Sequence, residues 1–134
     1  TVIAWDLDSW APLQVLKKHT SDVRALAVHP SKPILFSGSQ DETVIAWDLD
    51  TWAPLQVLEK HTHGALALAV HPSKPILFSG SQDETVIAWD LDTWAPLHVL
   101  EKHTNWVQSL AMHPNKPILF SGCWVDNTVI AWDL

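Results

Sequence analysis

Apolar and polar positions alternate along this chain in short runs, and the runs recur. In Thr-Val-Ile-Ala-Trp-Asp-Leu, residues 1–7, the positions Val, Ala and Asp alternate with Ile, Trp and Leu. A period of two, rich in β-branched and aromatic residues, predicts a β-strand with two distinct faces. The same seven residues return at 43–49, 85–91 and 128–134, at spacings of 42, 42 and 43 residues. The chain is therefore read as a single domain of three repeats, 1–42, 43–84 and 85–127, followed by a last strand, 128–134.

Each copy of that strand leads through Asp-Ser/Thr-Trp-Ala-Pro into Leu-Gln/His-Val-Leu, which predicts a second strand over 13–16, 55–58 and 97–100. Pro12, Pro54 and Pro96 stand just before it, where a missing N–H is tolerated. Lys-His-Thr and a variable tetrapeptide then precede Ala/Ser-Leu-Ala-Val/Met. Alanine alternates there with larger side chains, which predicts a small, buried strand lying close to a neighbour. His-Pro-Ser/Asn-Lys-Pro is a turn, since each proline restricts the residue before it and neither fits mid-strand. Ile-Leu-Phe-Ser-Gly-Ser is the next strand, and Gln-Asp-Glu turns back into Thr-Val-Ile-Ala-Trp-Asp. Four short strands per unit of about 40 residues predict antiparallel meanders arranged radially in a propeller.

From His19-Thr20 through Ser37-Gly38-Ser39-Gln40-Asp41 to Trp47-Asp48 the chain resembles a WD repeat, the unit of the WD40 β-propellers. The likeness covers the whole chain and recurs three times. One departure is Lys18, Lys60 and Lys102 in place of the glycine usual before the marker His. The resemblance implies an all-β fold of WD40-type, four-stranded antiparallel blades. It also implies a hydrogen-bonded network tying the inner strands of each blade: His19, Ser37, Asp41 and Trp47; His61, Ser79, Asp83 and Trp89; His103, Ser121, Asp126 and Trp132. Ser, His and Asp are also the parts of a hydrolytic triad. Three copies favour a scaffold, because an active site needs one arrangement and a fold needs one per unit. No catalytic residue is expected, and the chain is read as a non-enzyme.

In WD-repeat terms the chain begins and ends on the third strand of a blade, which gives two, four, four and three strands. Three blades are fewer than the roughly 4–8 that close a propeller. The expectation is closure by self-association, with 13–16 of one chain completing the last blade of another. A homodimer with six blades is favoured over a homotrimer with nine, because fewer chains lose less association entropy.

Fifteen acidic against eight basic residues leave a net charge of −7, spread evenly by the repeat. Nucleic-acid binding, which needs clustered Lys and Arg, is not expected. No apolar run has the 18 or so residues of a membrane helix, and no secretory leader pattern is present, so a cytoplasmic location is the default. Cys123 is the single cysteine. It makes neither an intrachain disulfide nor a CxxC motif, and with no cation near it in sequence it reads as an inert thiol. His29, His71 and His113 recur once per unit and would be spread around a ring rather than gathered. His61 and His63 lie two apart, but His61 belongs to the expected network. No metal site and no cofactor are expected, the one version worth testing being three His63 copies meeting on a trimer axis.

The first two units are identical at 36 of 42 positions. Near-identity that extends to the connectors marks recent amplification of one unit or consensus construction, the second being favoured. Differences concentrate in two places: the tetrapeptides 21–24, 63–66 and 105–108, and Cys123-Trp124-Val125-Asp126-Asn127, which replaces Ser-Gln-Asp-Glu with one residue inserted. In the WD40 family both loops lie on the top face near the axis. The implied surface for a peptide or protein partner comprises Asp22, Arg24, His63, Leu66, Asn105, Trp106, Gln108 and Trp124. Drift in tolerant loops explains the same pattern equally well. The rival function is a carbohydrate-binding module using Trp10, Trp52 and Trp94 of the bottom connectors.

Overall fold

Alternation sends successive side chains of a strand to opposite faces, and in the middle strands of the two central sheets both faces are interior. The computed structural model describes all 134 residues as thirteen strands with no helix, and hence none long and apolar enough to cross a membrane. A hairpin of β1 (Val2–Trp5) and β2 (Pro12–Leu16) comes first. Two four-stranded sheets follow: β3 (Val23–Val28), β4 (Ile34–Ser39), β5 (Thr43–Asp48) and β6 (Pro54–Glu59), then β7 (Ala65–Val70), β8 (Ile76–Ser81), β9 (Thr85–Asp90) and β10 (Pro96–Glu101). A three-stranded sheet of β11 (Val107–Met112), β12 (Ile118–Cys123) and β13 (Val129–Asp133) ends the chain. Each sheet is an antiparallel meander in sequence order. The inner strands begin inside the variable tetrapeptide, and the outer ones begin on their proline, an edge position that needs no N–H.

The sheets stack face to face with a core between each successive pair. In β5, Val44 and Ala46 join the core shared with the β7–β10 sheet, while Ile45 and Trp47 join the one under the β1–β2 hairpin. In β9, Ile87 and Trp89 point back and Val86 and Ala88 forward, into the core shared with the last sheet. The alanine-rich inner strands approach their neighbours closely. A Cβ added at Gly38 would sit 3.2 Å from the Ala65 carbonyl oxygen, and one at Gly80 would sit 2.7 Å from Cγ1 of Val107.

At the two ends of the arc the same strands have one face bare. β1 buries Val2 but leaves Ile3 and Trp5 exposed; β13 keeps Trp132 against the last core but leaves Val129 bare, 72% exposed. The expectation of a buried inner strand fails in the first unit. Leu26 and Val28 are 54% and 60% exposed, whereas their counterparts Leu68 and Val70 pack on a core. The cause is the missing sheet in front of β3, since the hairpin covers only its outer part.

Candidate functional site

In the first two units a polar chain crosses each blade. The Trp47 indole N–H donates to Ser37 Oγ at 2.9 Å, Ser37 Oγ lies 2.7 Å from His19 Nε2, and His19 Nδ1 lies 2.8 Å from Asp41 Oδ2. With Asp41 ionised, Nδ1 carries the proton and Nε2 accepts from the serine, so each member has a donor or acceptor matched to it. The second unit repeats this at 2.8, 2.7 and 2.7 Å through Trp89, Ser79, His61 and Asp83. Burial alone would raise the Asp41 carboxyl; hydrogen bonds from the Thr43 hydroxyl, His19 and two backbone N–H groups outweigh it and hold it at about 2. Burial of Asp83 is likewise outweighed, chiefly by His61 and Thr85, and its carboxyl lies well below the ordinary value. Ser37 and Ser79 are completely buried, so neither hydroxyl can meet a substrate.

The third unit is different. His103 Nε2 meets Ser121 Oγ at 2.6 Å and the Trp132 indole donates to the same oxygen at 2.7 Å, but His103 Nδ1 is buried with no partner. Asp126, expected to complete this network, keeps the bonds from the backbone and hydroxyl of the threonine two residues on, at 2.9 and 2.6 Å, as Asp41 and Asp83 do, but makes none to His103. Two changes account for it. Ser39 and Ser81 accept the backbone N–H of Asp41 and Asp83 and donate to a carbonyl across the turn, and Cys123 replaces that anchor. Val125 then lengthens the turn by one residue. Burial depresses the His103 imidazole, partly offset by Asp126.

The two variable loops adjoin in every unit. Backbone N–H groups of Gln40, Gln82 and Trp124 donate to the carbonyls of Asp22, Gly64 and Trp106 at 2.8, 3.0 and 3.1 Å. Asp22 and Arg24 pair loosely at 3.6 Å on the surface; His63 and Gln108 are exposed, Leu66 and Asn105 half-buried. Trp106 and Trp124 stack with centroids 4.9 Å apart and remain exposed. Sequence reasoning missed the link between units, in which the Gln40 amide donates to Gln82 at 2.6 Å and receives a bond back at 3.2 Å. Gly64 makes room for it, since a Cβ there would meet the Gln40 amide at 2.9 Å.

The recurring His29, His71 and His113 each accept two backbone N–H groups of their turn on Nδ1, at 3.0–3.1 Å, which occupies one ring nitrogen. Trp52 and Trp94 pack against cores, and only Trp10, at the open end, is exposed. All three take positive φ, 60–64°.

Residues 10–48, 52–90 and 94–133 match the family model of the WD domain, G-beta repeat. The solved structures of U3-55K and of the RRP9 WD40 repeats each align with 98% of this chain at a TM-score of 0.91 and 23% identity. The chain spans about two fifths of their length, 42% and 41%. No curated protein matches it in sequence.

Proposed function

Because the chain belongs to the WD domain, G-beta repeat family, whose members generally serve as non-catalytic protein-interaction scaffolds, we propose that these 134 residues are a self-associating propeller segment that presents a partner-binding loop face. The observation that carries the self-association is the complementarity of the two ends. β1 and β13 lie in the same seven-residue sequence, and each buries the face that the other leaves bare.

A second copy therefore supplies what each end lacks. The β1–β2 hairpin of one copy takes the place of β13 beside β12 of another, which brings Trp5 to Ser121 and adds the missing outer strand. The groove between residues 1–3 and Val23–Leu26 receives β11 and β12. Leu26, Val28 and Trp5 are already about half covered, so burying the rest contributes on the order of 1 kcal/mol each, and many such side chains covered together offset the loss of translational freedom. Two copies give six blades and three give nine; two is the favoured state.

Light scattering with size exclusion tests this directly. A mass twice that of the 15.0 kDa chain is expected, and Leu26→Asp with Val28→Asp should return it to one. A wild-type chain that stays monomeric at high micromolar concentration ends the proposal, and leaves further blades of a longer chain as the cover for these ends.

The partner surface rests on the exposed Trp106–Trp124 stack beside the adjoining loops, since aromatic anchors dominate binding hot spots. Peptides selected on the wild-type protein should lose binding to the double variant Trp106→Ala, Trp124→Ala. Peptides that bind both equally would point to drift in these loops. The completely buried serines support the non-catalytic reading.

A further inference from the structure

We propose that His103, Cys123 and Asp126 bind one zinc-class divalent ion, taking the place in the third unit of the hydrogen bond that joins histidine to aspartate in the first two. The ligand atoms of these three residues lie within 4.8 Å of one another. His103 is 7% exposed, and its Nδ1 has no partner of any kind. A buried, unsatisfied nitrogen costs about 1–3 kcal/mol, so something that accepts its lone pair or its proton is favoured there. Beside it stand a thiol and a carboxylate, which the matching positions of the other units do not offer together, because Ser39 and Ser81 hold the place of Cys123.

The donor set selects the ion. One imidazole nitrogen, one sulfur and one carboxylate oxygen suit zinc or its borderline neighbours and disfavour calcium and magnesium, which take oxygen. Bonds of ~2.0–2.3 Å in tetrahedral geometry place ligands roughly 3.3–3.8 Å apart, so the cluster must contract by about an ångström. Asp126 sits in an exposed turn and can swing that far. With Nδ1 on the ion the ring proton sits on Nε2, and Ser121 Oγ, 2.6 Å away, is placed to accept it, the reverse of the serine's role in the first two units.

On binding, the thiol releases its proton to solvent, and thiolate plus carboxylate balance the two charges of the ion. Without the ion, burial and the hydrogen bond with Asp126 keep the thiol above its ordinary value, which an adjacent cation reverses. Water fills the fourth position. The ion ties the lengthened turn 123–127 to the buried histidine.

The metal-stripped 134-residue chain, titrated with cobalt and then zinc, tests this, whatever its state of assembly. One ion per chain is expected, with a thiolate-to-cobalt charge-transfer band that zinc abolishes and magnesium does not, and a higher melting temperature with zinc. Cys123→Ser, which installs the residue of the other units, should melt like wild type without metal, lose the band and weaken zinc binding by more than about tenfold. Asp126→Asn should weaken it less. Absence of saturable binding overturns the proposal, and so does binding that Cys123→Ser leaves unchanged, which would assign the ion to surface histidines.

Discussion

In the second unit the His61 ring is held at both nitrogens, by Asp83 and Ser79, each at 2.7 Å; in the third, His103 keeps only Ser121, at 2.6 Å. Both rings are buried to the same extent, 6% and 7% exposed, and both meet a tryptophan edge-on with centroids 6.5 and 6.4 Å apart. The four residue types are present in each unit. What separates them is a turn one residue longer that has lost its serine anchor, so membership of a polar network is decided by backbone length around the carboxylate as much as by the residues themselves.

Removing each histidine in turn gives the largest expected effect. His61→Ala loses the packing of the ring and takes one bond each from Asp83, which keeps Thr62 and Thr85, and from Ser79, which keeps Trp89, and should cost roughly 3–4 kcal/mol. His103→Ala in metal-free protein loses similar packing but takes a bond only from Ser121, which keeps Trp132, and removes the orphaned Nδ1, so roughly 2 kcal/mol is expected. Urea unfolding monitored by tryptophan fluorescence compares the two. Equal losses would mean that the Asp83 contact contributes nothing net.

Repairing the third unit should come next in size. Replacing residues 123–127 with Ser-Gln-Asp-Glu shortens the turn, restores the serine anchor and returns an aspartate to His103. A gain of about 1–2 kcal/mol is expected for satisfying the buried nitrogen, together with loss of zinc binding. No gain would place the cause of the orphan elsewhere than in this turn.

These tests also mark where sequence reasoning stopped. Strand positions, meander order and the contacts of His19, Ser37 and Trp47 were legible because each follows from residues in a fixed local frame and from the resemblance that frame carries. The detachment of Asp126 was not, since the insertion of Val125 changes where a carboxylate points without changing what is present. The sequence reads Cys123 as inert from its neighbours along the chain, and its approach to His103, twenty positions away, is visible only in three dimensions. The bridge from Gln40 to Gln82 joins residues 42 apart, and nothing in either loop alone announces it. Exposure of Leu26 and Val28 escaped for a related reason: alternation assigns a side chain to a face but does not say whether another sheet covers that face.

Acid titration sharpens the same contrast more gently. A carboxylate whose folded pKa lies below its unfolded value of roughly 3.9 adds stability that is complete above that value and drains away as pH falls through the folded one. For Asp41 the window runs from about 4 down to about 2, and for Asp83 it extends lower. Asp41→Asn with Asp83→Asn keeps an acceptor for each histidine and should flatten this acid limb of the melting temperature. Asp126 is also depressed, first by the Thr128 hydroxyl, yet it is exposed and makes no bond to His103. Asp126→Asn should therefore leave most of the limb intact; equal flattening by all three would contradict the assigned partners.

The smallest effect is expected at Gly64, which aligns with Trp106 of the third unit. Its φ is not positive, so alanine fits the backbone, and removing a glycine stabilises by about 0.4–1 kcal/mol through the unfolded chain. Against this, the new Cβ displaces the Gln40 amide, a flexible group whose bridge to Gln82 contributes about 0.5–1.5 kcal/mol. The two nearly cancel, and Gly64→Ala should change stability by less than about 1 kcal/mol. Gly80→Ala is the control, because its Cβ meets Val107 of the neighbouring sheet at 2.7 Å from Cγ1 and 3.2 Å from both Cβ and the carbonyl oxygen, a β-branched residue close to its backbone rather than the far end of a flexible chain. A loss at Gly64 as large as that at Gly80 would mean that the glutamine bridge, rather than the sheet packing beneath it, holds the second and first units in register.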